Sequence, residues 1–164
     1  MSEPALTATE MLAWLEKTSD RWCGMIDAHP EILAMSCDVA KVASVGELLQ
    51  HIVAVELRYA ERLAGLPATD YAAIGFDSSA AIYAHHERAM TLFREQLECD
   101  VDWDERIEFV TRSTGPASAT RKAVFFHAML HGVRHYAQLA TLVRQNGVKP
   151  DWPMDYLAMS MQQA

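Results

Sequence analysis

The sequence predicts an all-α fold, a four-helix bundle forming a single domain over residues 1–164. Three observations carry this expectation. Gly and Pro punctuation cuts the chain into four long segments, apolar residues within each segment step by three and four, and apolar residues make up 51% of the chain. The stepping is the seam by which bundled helices face one another. The apolar share excludes disorder, and a chain of 164 residues can bury a core without a disulfide or zinc staple.

The first helix is expected from about Thr7 to Ala28. Thr7-x-x-Glu10 fits a capping box, Met11, Leu15, Thr18, Trp22 and Met25 form the seam, and His29-Pro30 ends it, because a residue before Pro avoids the α region. The second opens on another such box, Ser44-x-x-Glu47, and its seam is Leu48, Ile52, Val55, Tyr59 and Leu63. Gly65-Leu66-Pro67 stops it. The third starts near Asp77-Ser78-Ser79, with Ile82, His86, Ala89, Phe93 and Leu97 as its seam. The alternation in Arg106-Ile107-Glu108-Phe109-Val110-Thr111 suits a short extended stretch or hairpin, with Gly115-Pro116 as the turn. The fourth helix begins near Ser118 to Thr120 and runs to Asn146, with Gly147 suited to the position after the cap. Trp152, Tyr156 and Leu157 in the tail are expected to pack back on the bundle.

Charge and cysteine content exclude several functions. With Lys+Arg 14 and Asp+Glu 22, the net charge is −8, which argues against a nucleic-acid partner. Charges interrupt every apolar run, so no membrane span or membrane partner is expected. Met1-Ser2-Glu3-Pro4 lacks the basic region of a signal peptide, which points to the cytoplasm. Cys23, Cys37 and Cys99 are widely spaced and odd in number, so they read as idle thiols rather than a disulfide framework. Neither a phosphate-cradling Gly loop nor a Gly-x-Ser-x-Gly elbow is present.

The chemistry lies in the histidines. His127, His131 and His135 repeat at four-residue spacing. Seven histidines placed at random would give only about 0.01 such triplets, so chance does not account for the spacing. Residues four apart share a helix face and can chelate one ion. Each step overshoots a turn by about 40°, so His127 and His135 differ by about 80°. Two neighbours and a third ligand from another helix therefore hold an ion most easily. His51, bordering the seam of the second helix, leads as that third ligand. His86 lies on the seam of the third helix and reads as a ligand, a partner steadying one, or a core histidine. His29 is expected to be exposed. Glu56 lies about 500° round the helix from His51, so it reads as a flank partner for Arg58, Arg62 or a neighbouring helix. Glu-x-x-His and His-Glu-x-x-His are both absent, against a di-iron centre or a zincin protease.

Two stretches resemble the DinB family, also called the DinB/YfiT-like metalloenzymes. Leu48-Leu49-Gln50-His51-Ile52-Val53-Ala54-Val55-Glu56 is similar to the family's helix 2 motif, and His127-x-x-x-His131-x-x-x-His135-x-x-Gln138-Leu139, with Gly147 beyond it, to its closing motif. The extended stretch before the last helix and Asp155-Tyr156-Leu157 fit too. The sequence departs from the pattern at Leu130 and at Tyr136-Ala137. The resemblance implies an up-down-down-up bundle, a homodimer, and a metal triad at His51, His131 and His135, with His127 not a ligand. Members with a known activity are bacillithiol S-transferases and a mycothiol-dependent maleylpyruvate isomerase. The implied function is thus a metal-dependent enzyme that activates a low-molecular-weight thiol for an electrophilic substrate. The alternative is a non-catalytic, stress-associated, metal-binding dimer. Three neutral imidazoles suit a divalent transition metal, zinc or nickel first, then iron or copper. Trp22, Trp103 and Trp152 are candidates to line the dimer interface.

Overall fold

The computed structural model describes residues 4–111 and 115–161. Four long helices dominate it: α1 (Ala8–Ala28), α2 (Val45–Leu63), α3 (Ser79–Glu98) and α4 (Arg121–Gln145). A two-stranded antiparallel hairpin, β1 (Arg106–Thr111) and β2 (Gly115–Thr120), precedes α4. Among the described residues, no helix is long and apolar enough to cross a membrane.

Side chains start all four helices. Thr7 and Glu10 form the full capping box of α1. Ser44, Ser78 and Thr120 each accept a backbone N–H three residues on, which satisfies an otherwise orphaned donor. The second box is only half formed. Ser44 caps Glu47, but the Glu47 carboxylate accepts from Ala43 N–H at 2.7 Å instead of returning to the cap.

Helix α2 packs on α3 and α4, and α1 packs on the same two. The expected seams are largely the buried faces: Met11, Leu15 and Trp22 on α1, Leu48 and Ile52 on α2, and Ile82, His86 and Phe93 on α3 are all buried. Val55 and Tyr59 are half-buried because they face a cleft rather than the core.

Three expectations are corrected. Gly115 and Pro116 are not the turn of the hairpin. They open β2, paired with Thr111 and Val110, and residues 112–114 between the strands lie outside the described residues. Gly115 has φ +75, which explains why it reads as a turn residue. In the tail, Trp152 packs edge-on to Trp22 and Tyr156 to Trp14, whereas Leu157 stays 67% exposed. Trp22 is fully buried within its own chain, and Trp103 and Trp152 pack against the core. Trp22 therefore cannot line an interface, whereas Trp103 and Trp152 are half-buried.

Between α1 and α2 the backbone folds back on itself. Cys37 N–H donates to Ala43 and Val45 N–H to Met35, closing a short loop. At its tip Ala40 and Lys41 adopt φ of 56° and 62°, a left-handed conformation that costs free energy for a residue with a Cβ.

Candidate metal centre

The cluster is built by α2 and α4, which pack against each other. His131 and His135, one turn apart on α4, face inward and are buried, and His51 reaches them from α2 half-buried. Their ring centroids lie 4.4–5.1 Å apart. One ring nitrogen from each can be chosen so that all lie within 4.8 Å of one another. His127 is left out. It is exposed, and its ring stands edge-on to Tyr59 at 5.2 Å. The 80° drift along α4 thus separates the first histidine from the other two. His29 is exposed beside Glu31, as expected.

The electrostatics favour neutral imidazoles. Burial, followed by the neighbouring His135 and His51 and by Arg134, lowers His131 to about 2. Burial also lowers His135, against the opposing hydrogen bond to Gln138. His135 Nδ1 lies 2.7 Å from Gln138 Oε1 and can donate only from that nitrogen, which leaves the Nε2 lone pair outward. The Arg134 guanidinium sits 3.1 Å from that Nε2. His51 Nε2 and His131 Nε2 are 3.0 Å apart. Two lone pairs so close repel unless a proton or a cation lies between them. Converging imidazoles, two of them buried and held neutral, fit a divalent transition metal ion.

Glu56 and His86 each take one of the alternatives left open for them, a partner on a neighbouring helix and a core histidine. Glu56 is fully buried, and its Oε2 lies 2.7 Å from His86 Nδ1. It is therefore not a flank partner of Arg58 or Arg62. His86, 4% exposed, is a core histidine on a carboxylate and stands apart from the three-histidine group. Gly132 makes this packing possible. A Cβ there would lie 2.7 Å from Leu15 Cδ1 and 3.1 Å from Glu56 Oε1. A glycine inside a helix, between His131 and Arg134, was the available signal for that close approach.

The cluster opens on a cleft of about 730 Å³. His51 and His131 lie in its wall with Val55, Tyr59 and Phe76, and Arg58, Arg62 and Arg134 line it too. The sequence offers Arg58 and Arg62 only as partners for Glu56 and does not single out Arg134, because a lone charge on a helix carries no site signal.

In a comparison with known families, residues 1–163 match the model of the DinB family, so the chain belongs to that family. A comparison with curated proteins finds no match.

Proposed function

We propose that this DinB-family chain holds one divalent transition metal ion at His51, His131 and His135 and activates a low-molecular-weight thiol. The thiol would be transferred to an electrophile, or its adduct isomerised. The observation that carries the reading is the convergence of His51, His131 and His135, with His51 and His131 on the wall of an open cleft. A bound divalent ion with an open position would supply positive charge that lowers the pKa of a thiol or water there.

The chain's own residues prepare the site. Gln138 holds His135 in the tautomer that presents Nε2. Gly132 lets Leu15 and Glu56 close against α4 behind His131. No carboxylate base is ready beside the three rings among the described residues. Glu56 is engaged with His86, and Glu47, in the cleft wall, accepts from Ala43 N–H. Hydrolysis usually wants such a base or a second metal, whereas a thiolate can form without either.

The rest of the reading leans on family membership. The helices form an up-down-down-up bundle in one domain, supported by α1 and α2 each packing on both α3 and α4. The protein is a cytoplasmic homodimer, and its three cysteines are free. Incubating metal-loaded protein with several small thiols and a chloro-dinitroarene tests the activity. Conjugation should follow metal content and vanish in His135→Ala. No rate enhancement at full metal loading would favour the non-catalytic dimer.

A further inference from the structure

The protein carries a net charge of −8, yet the cleft beside the histidines is basic. Among the described residues Lys41, Arg58, Arg62 and Arg134 line it, against a single acidic residue, Glu47. Four basic residues thus meet one acidic residue among the described lining residues, although acidic residues outnumber basic ones in the chain. Such a wall focuses positive potential where the solvent dielectric is reduced.

The four cations are held differently. Arg62 is fixed. Its Nη2 donates to the Val110 carbonyl at 2.7 Å, and its guanidinium lies over Tyr59 and Phe109 at 5.1 and 5.2 Å. Burial lowers its pKa, the mark of a partly desolvated cation. Arg134 leans on His135 Nε2. Arg58 is half-buried, and neither it nor Lys41 makes a hydrogen bond or ion pair among the described residues. Lys41 sits on the left-handed backbone at the loop tip, the kind of strain found at ligand clamps. Tyr59 and Phe76 line the same cavity with Val42, Ala54 and Val55, so the cations share it with apolar surface.

We propose that this cleft is a subsite for a small organic carboxylate, with Arg58 and Lys41 gripping the anion and Tyr59 and Phe76 flanking its apolar body. The inference deepens the thiol-transfer reading and rests on it for the identity of the ligand as a substrate. A planar guanidinium offers two parallel donors to a carboxylate. The fixed charge of Arg62 favours any anion held beside it. Free phosphate would use the cations but leave the aromatic walls empty.

Titration calorimetry on the metal-free chain at low salt tests this, with benzoate, benzamide and inorganic phosphate as probes. Benzoate should bind at least about tenfold more tightly than neutral benzamide, the size of a hydrogen bond to a charged group. Arg58→Gln should weaken benzoate by about tenfold, Arg58→Lys should keep the charge but lose the bidentate fork and fall between Arg58→Gln and the wild type, and Arg144→Gln, at the far end of α4, should change nothing. Circular dichroism of each variant establishes that it is folded. Equal affinity for benzamide, or equal losses in Arg58→Gln and Arg144→Gln, would overturn the subsite. Phosphate binding as tightly as benzoate would overturn the organic carboxylate. Zinc binding to the same samples separates the two readings. Zinc without benzoate sinks the subsite alone, and benzoate without zinc sinks the metal reading alone.

Discussion

His131 and His86 are almost equally buried, 6% and 4% exposed, and both sit where α2 packs against a neighbouring helix. Their surroundings differ in sign. His131 faces two other imidazoles and Arg134, so burial and like charge both disfavour its protonated form. His86 meets the Glu56 carboxylate. Burial pulls its pKa down, but the charge of and hydrogen bond to Glu56 outweigh this and hold it above the ordinary histidine value. Burial alone therefore does not decide what a core histidine can do; its neighbour does. A neutral ring keeps a lone pair for a metal ion, whereas a ring bonded to a carboxylate serves as a donor.

The largest expected effect separates the two as ligands. His131→Ala should lose the bound ion altogether, while His86→Ala should still take up one zinc per folded chain. His127→Ala should behave like the wild type, since that ring lies outside the group. Elemental analysis after dialysis against zinc measures all three. Loss of metal in His127→Ala with retention in His131→Ala would overturn the ligand assignment and erase the contrast with it.

Next in size comes stability without metal. His86→Ala strands the buried Glu56 without its partner, and breaking a buried charged pair costs about 3–5 kcal/mol. His51→Ala removes a half-buried ring from a cluster of like groups and should cost about 1 kcal/mol, the ordinary value for a substitution. Urea unfolding of both variants in chelator gives the comparison. Equal losses would mean that the Glu56–His86 pair contributes no more than packing.

The same contrast explains what could be read from the residues beforehand. Local signals were legible. The caps at Thr7, Ser44, Ser78 and Thr120, the stop at Gly147 and the extended stretch from Arg106 each depend on near neighbours in the chain. So did the histidine triplet, a matter of helical spacing. His51 joined it because it borders a seam, and family resemblance chose which two rings of the triplet it meets. The Glu56–His86 pair was not legible. Thirty residues separate the two, and their meeting depends on how α2 is rotated against α3, which no local pattern encodes. Gly115 misled for a related reason. Its positive φ is real, but it belongs to the first residue of β2, paired with Thr111.

The smallest effect is the dependence of this contrast on pH. For His86 the folded pKa is raised. Its contribution to stability is therefore fully present below the unfolded value of about 6.5 and is lost as pH rises through the folded value. His131 runs the other way. Its pKa falls from 6.5 to about 2 on folding, so the unfolded chain takes up a proton that the native chain refuses. Its neutral burial thus costs nothing above about pH 6.5 and destabilises the fold progressively below it. In metal-free protein the two sites should partly cancel on acidification. Removing one unmasks the other: His86→Gln should lose stability more steeply than the wild type between pH 7 and pH 5. The gap between wild type and His86→Gln should narrow as pH rises toward 9, because the charge attraction vanishes while the hydrogen-bonding capacity of a neutral ring remains. The effect is smaller than truncation for that reason. Urea midpoints at a series of pH values measure it, and a gap that widens toward alkaline pH would show that His86 is not held protonated by Glu56.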